Sequence, residues 1–149
     1  LCQLVYFFAM GSLFQCILVT FTLSILLIYA YDTGSRPLTA LALLGVAFVT
    51  VALPRMLPGT DFAIDYGFFG VLVPVAAYLG ETRREKLLFT AGALVALAWS
   101  VGDIQWYSLA ALLPLALYGG QRGKRRMKWL FYLYYPLHLA AIYGISLLL

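Results

Sequence analysis

LCQLVYFFAMGSLFQCILVTFTLSILLIYAY, residues Leu1 to Tyr31, contains no charged side chain. As a helix rising about 1.5 Å per residue it would extend about 46 Å, well beyond the roughly 30 Å hydrocarbon core of a bilayer. Gly11 and Ser12 divide it, so residues 1–10 read as the tail of an upstream helix and residues 12–31 as a full membrane span. A water-soluble domain could not carry such a stretch together with the rest of the composition. Of the 149 residues 64% are apolar and 11% charged, and the mean hydropathy is +0.93. The apolar runs are continuous rather than alternating, which argues against a barrel of short strands. The expected fold is all-α: a polytopic integral membrane bundle of about six transmembrane helices, forming one domain over residues 1–149.

Outward from this stretch, Asp32, Thr33, Gly34 and Ser35 close the first span and Pro37 opens the second. That second span is expected over 38–53, ended by Pro54, Pro58 and Gly59 in a loop that carries Arg55, Asp61 and Asp65. Further spans are expected over 66–79, interrupted by Pro74, then over 87–101, 104–118 and 129–149. The fourth and fifth, each about 15 residues, are short for a crossing, and Gly102 and Asp103 leave room only for a tight turn between them. Their shortness predicts ends packed against protein or facing a water-filled vestibule. Cys2 and Cys16 lie in apolar sequence without other ligand types at metal spacing; they read as small buried hydrophobes, and no metal site is expected. The chain opens inside an apolar run with no basic flank, so the protein is expected to begin upstream of Leu1.

Lysine and arginine orient the bundle. With six spans, nine of the ten basic residues share one side: Arg36; Arg83, Arg84 and Lys86; and Arg122, Lys124, Arg125, Arg126 and Lys128. Arg55 alone falls on the other. The positive-inside rule places the nine in the cytoplasm, with Leu149 facing outward. Trp106 and Tyr107 mark the outer interface, Tyr118 and Trp129 the inner one.

Few residues offer chemistry. His138, the single histidine, stands about 14 Å into the last span, near the bilayer midplane, where an ionisable ring is expensive. A neutral imidazole there can act as general base or acyl acceptor; the alternative is a histidine that only hydrogen-bonds a neighbouring helix. Pro136 frees a backbone carbonyl beside it, and Tyr132, Tyr134 and Tyr135 add hydroxyls, Tyr135 being a candidate substrate contact. The loop from Gly119 to Arg126 is glycine-rich and cationic, suited to phosphates through Arg122, Lys124 and Arg125; its alternative is an ordinary topogenic loop. Asp65 and Asp103, at the outer ends of spans, are placed either to polarise a substrate amine or to cap helices. No P-loop, GxGxxG, HExxH or GxSxG motif is present.

The run from Tyr118 to Lys124, Tyr-Gly-Gly-Gln-Arg-Gly-Lys, and the run from Lys128 to Leu139, Lys-Trp-Leu-Phe-Tyr-Leu-Tyr-Tyr-Pro-Leu-His-Leu, resemble the closing segment of the TraX family of membrane proteins. There a "YNGKRG"-like basic loop precedes a "KYFFYLFYPLHL"-like helix. Asp65-Tyr-Gly-Phe-Phe-Gly-Val-Leu and Thr20-Phe-Thr-Leu fit the same family in consistent order. The resemblance implies a multi-pass acetyltransferase of the bacterial inner membrane, with acetyl-CoA as co-substrate and a pilin-like protein or other envelope molecule as acceptor. It implies that Arg122, Lys124 and Arg125 meet the CoA phosphates and that His138 lies at the reacting centre. The expected partners are the lipid bilayer and the pilin-like substrate, not nucleic acid. Family members usually carry two further N-terminal helices with an Asp-His pair, and Gly120 stands where they commonly have Asn. The alternatives are a non-enzymatic scaffold or pilus-assembly accessory, or an inactive fragment of the enzyme. A small-anion transporter has less support, because only Pro74 and Pro136 interrupt spans and in segments without symmetry.

Overall fold

The computed structural model describes Leu13, residues 15–118, and Trp129, Leu133, Tyr134, Leu137 and Ala141. The chain divides into two compact units, one ending at Leu117 and one beginning at Tyr118, and the continuous helices lie in the first. Every regular element among the described residues is helical; the one extended pairing is an isolated parallel bridge between Gln15 and Ile64.

Helix α1, Ile17–Asp32, is apolar apart from Thr20, Thr22 and Ser24 and its terminal Asp32, and stops where Gly34 turns with φ +68°. Helix α2, Arg36–Met56, starts with Pro37 in its first turn, a position that needs no amide donor. Among the described residues it is the one helix long and apolar enough to cross a membrane, with 21 residues and a mean hydropathy of 2.0; α1 and α3, Gly67–Leu79, are shorter apolar helices. The sequence places a chain break at Pro54, yet α2 runs through it to Met56. Proline there has no N–H for the carbonyl of Thr50, and its ring crowds that carbonyl. The helix responds by widening into a π segment over Phe48–Ala52 instead of ending.

Helix α4, Arg83–Val101, opens four residues before the expected span because Thr82 and Glu85 form a reciprocal capping box. It ends at Gly102, whose φ of +115° suits glycine alone. The chain then returns as a 3₁₀ helix, Asp103–Ala111, continued by α5, Leu112–Leu117. The Arg83 guanidinium donates to the carbonyl of Ala116, so this return reaches the start of α4. Nineteen α-helical residues cover about 28 Å. Residues 103–116 as an α-helix would cover about 21 Å, whereas nine at the 3₁₀ rise of about 2.0 Å bring the leg to about 26 Å. Stretching the backbone thus compensates for the shortness read in the fifth segment.

Paired contacts along the chain order the helices. Thr20 meets Asp65, Ser24 meets Val71 and Asp32 meets Tyr78, so α1 and α3 run parallel. Helix α3 packs most extensively on α4. One end of the unit collects Arg36, Arg83, Arg84 and Lys86 with Asp32, Glu81 and Glu85; the opposite end carries Asp61, Asp65 and Asp103 with Arg55.

Large apolar side chains point outward, among them Ile25, Leu44, Trp99, Ile104 and Leu117, all more than half exposed. Hydroxyl residues point inward: Thr20, Ser24, Thr50 and Thr90 are buried beside Val71 and Ala98. A solvent of water would favour the reverse arrangement. Where the solvent is hydrocarbon, burying leucine gains little, and close packing of small residues with hydroxyl-to-carbonyl bonds holds helices together. The membrane character of the chain rests on this distribution as well as on α2.

The Ser24 hydroxyl, 1% exposed, donates to Val71 O at 2.8 Å on α3 and to Thr20 O at 3.0 Å on its own helix. Ser24→Ala should cost about 0.5–1 kcal/mol, the usual size of such bonds in membrane bundles. Ser24→Leu should cost about 1–3 kcal/mol or more by overpacking. Both are measured as unfolding midpoints in detergent; a leucine variant as stable as the parent would contradict this packing.

Candidate functional site

The acidic end is shaped by residues 57–66, a segment without regular structure that is held by hydrogen bonds to the start of α1. Gly59, at φ +95°, turns the chain, and the Asp61 carboxylate accepts from Leu13 N–H at 3.0 Å. Gln15 N–H donates to Ala63 O at 2.7 Å, and Asp65 N–H donates to Gln15 O at 3.1 Å, which forms the parallel bridge. The Thr20 hydroxyl then donates to Asp65 O at 2.6 Å. Both backbone polar groups of Asp65 are thereby tied to the start of α1. Its side chain accepts from Tyr66 N–H.

Tyr66 takes the left-handed conformation, φ +61°. For a residue with a β-carbon this costs on the order of 1–3 kcal/mol and persists only where surroundings impose it. Here it turns the extended segment directly into α3, whose first residue Gly67 also has positive φ. A β-carbon at Gly70 would collide with that of Tyr66, so the turn depends on glycine one helical turn later.

Behind this turn lies a cleft of about 440 Å³. Its walls are Ile64 to Phe69, Val51 from the π segment of α2, and Ser100 and Val101 from the end of α4. The Ser100 hydroxyl is occupied with Leu97 O at 2.8 Å. Asp65 is therefore the ionisable group among mainly apolar walls. A carboxylate so placed can bind a cationic amine or hold a proton, depending on pH and occupant.

At the other end, Tyr78 O–H bridges both oxygens of the Asp32 carboxylate at 2.8 Å, fastening α3 to α1. Glu85 accepts from the N–H groups of Glu81 and Thr82 at 2.9 and 3.2 Å, and Arg83 reaches Ala116. The first unit thus ends at its basic face.

Of the residues singled out in the sequence, Asp65 lies in the cleft. His138, Tyr135, Arg122, Lys124 and Arg125 lie outside the described residues. Neither aspartate is an N-cap residue: Tyr66 holds that position for α3 and Gly102 for the 3₁₀ helix that Asp103 begins. Among the described residues no three His, Cys, Asp or Glu side chains group as a metal site would require. Sequence reasoning missed Val51, Ser100 and the turn at Tyr66. The tandem Tyr66-Gly67 was the available sign of a left-handed turn, whereas nothing local marks Ser100.

Burial pushes the Asp65 carboxyl above its ordinary value of 3.8, and the Tyr66 N–H offsets part of that rise. The folded state therefore holds this proton more tightly than the unfolded chain does. Its contribution to stability is complete below 3.8 and is lost as pH rises through the raised folded value. The unfolding midpoint should fall across that window in the parent, and Asp65→Asn should remove that part of the slope. An unchanged slope in the variant would assign the titration to another group.

Comparison with known proteins places these features in a family. A family model described as TraX protein matches residues 1–146. No curated protein and no solved structure matches the chain. The matched range takes in the hydroxyl-lined helix α1, the Asp65 turn, the α4 hairpin, the basic run and the Tyr-Pro-Leu-His stretch, so on nearly its whole length the chain belongs to the TraX family.

Proposed function

We propose that the chain is a membrane-embedded acetyltransferase that moves an acetyl group from acetyl-CoA to an amine of a pilin-like protein or another envelope acceptor. TraX membership supplies the conjugative-pilin context. The observation that carries the reading is the opposed polarity of the first unit: a cleft holding Asp65 at one end and Arg36, Arg83, Arg84 and Lys86 at the other. Opposite fields of this kind draw an anionic cofactor and a cationic amine to different ends of one bundle. The topology that fits is a multi-pass protein of the bacterial inner membrane with about six crossings and its basic end in the cytoplasm, where CoA is found.

In this reading Arg122, Lys124 and Arg125 hold the CoA phosphates. Asp65 receives the acceptor as an ammonium ion, Tyr135 contacts it, and His138 removes its proton. The freed amine nitrogen forms a bond to the thioester carbon and the C–S bond breaks. Coenzyme A leaves as a thiolate, which takes up the proton His138 collected, and the second proton, shed by the nitrogen as the amide forms, passes to water.

A second reading, a non-enzymatic scaffold or pilus-assembly accessory, is favoured by the inward hydroxyls. Thr20 and Ser24 donate to carbonyls of another segment and so tie the bundle together, while Thr50 and Thr90 donate to carbonyls of their own helices. The two readings separate on His138→Gln, which keeps a hydrogen-bonding side chain of similar size. An enzyme should lose acetyl transfer by about 10²-fold or more, while a scaffold keeps its cellular phenotype.

Acetyl-CoA binding by purified protein in detergent tests the cofactor assignment directly. Binding should be detectable in the parent and weaken about tenfold or more when Arg122 and Lys124 are both changed to Gln. Absence of binding, or binding indifferent to those changes, would overturn the assignment.

A further inference from the structure

Among the described residues Arg55 is the one basic residue at the acidic end, opposite Arg36, Arg83, Arg84 and Lys86. Its guanidinium is folded back on α2, donating to Val51 O at 3.0 Å. Val51 lines the Asp65 cleft and also a second, almost wholly apolar groove of about 570 Å³. Leu44, Ala47, Phe48 and Ala52 of α2 and Phe68 of α3 complete that groove. Phe68 likewise belongs to both spaces and is steadied edge-to-face by Phe69, with ring centroids 5.7 Å apart. Leu44 and Phe48 are at least half exposed, so the groove opens on the outward side of the one described helix that can cross a membrane.

The acidic cleft and the apolar groove thus share Val51 and Phe68, and Arg55 is tied to the same Val51 through its carbonyl. Among the described residues neither Arg55 nor Asp65 is ion-paired, with each other or elsewhere, so both charges are available to a ligand. Val51, in the π segment just before Pro54, lines both spaces. We infer that this composite site binds an aminophospholipid of the surrounding bilayer, with its ammonium on Asp65, its phosphate on Arg55 and one acyl chain along Leu44, Phe48 and Phe68. The bilayer supplies the occupant, and the paired opposite charges select a zwitterionic head that carries N–H donors. Phosphatidylglycerol offers a phosphate without the cation, and phosphatidylcholine a cation without N–H groups to donate. The site shares Asp65 with the acceptor position of the proposed acetyl transfer, but lipid retention is read without acetyl-CoA, so the two readings fail separately.

Native mass spectrometry of the detergent-purified chain, titrated with phosphatidylethanolamine, phosphatidylglycerol or phosphatidylcholine of identical acyl chains, reads the selectivity. Phosphatidylethanolamine should be retained about tenfold more tightly than either of the others. Asp65→Asn should abolish that preference while leaving phosphatidylglycerol retention unchanged. Arg55→Gln, an exposed change that leaves the fold intact, should weaken phosphatidylethanolamine and phosphatidylglycerol alike. Equal retention of all three lipids by the parent would mean annular lipid only and would overturn the inference, as would a preference that survives Asp65→Asn.

Discussion

The hydroxyl of Ser24 sets the first unit in register. By donating to Val71 O across the α1–α3 contact, it joins two parallel helices that the chain visits with a whole antiparallel helix between them. In hydrocarbon neither helix is driven against the other by its leucines, so the contact is specified by small and hydroxyl side chains that let the backbones approach. Thr20, one turn earlier, extends the same line to Asp65 O, and the Asp32–Tyr78 contact closes it at the far end. A slip of one residue would bring large side chains such as Ile25 or Phe21 to the seam and leave carbonyls without donors. The position of Asp65, and hence of the cleft, follows from this line.

Two departures from regular α geometry follow from fitting segments to their neighbours. Helix α2 widens at Phe48–Ala52 to keep Pro54 inside a continuous helix, and the return from Gly102 narrows into 3₁₀ turns to match the length of α4. Both absorb a conflict between local chemistry and the length demanded by the neighbours. The π segment also lies at the wall of the acidic cleft, so the same proline that threatens the helix shapes the site. Gly102 performs the complementary task, reversing the chain within a single residue at a backbone angle closed to other side chains.

Much of this organisation was legible in the residues. The basic clusters separate from Arg55 by counting alone, and the contacts among helices then place Arg36 and Arg83 at one end as alternation requires. Asp65 stood out as a carboxylate at a span end. Val51 and Ser100 did not, because each looks like any other residue of an apolar helix and gains meaning only from what folds beside it. Pro54 was misleading for a physical reason: a proline that would end an isolated helix is tolerated when packing supplies an alternative path for the freed carbonyl.

Composition and the spacing of charge determined by themselves that the first unit is helical, apolar on its outside and basic at one end, since hydrocarbon admits only segments that satisfy their own backbone. The basic loop and the Tyr-Pro-Leu-His run carried the family in the same way, because they are local strings. Tertiary structure alone decided where α2 ends, how a fifteen-residue return covers nineteen residues of helix, and that Asp65 shares a cleft with Val51 and Ser100. Those outcomes depend on matching lengths and faces between segments far apart in sequence, and no local window contains that information.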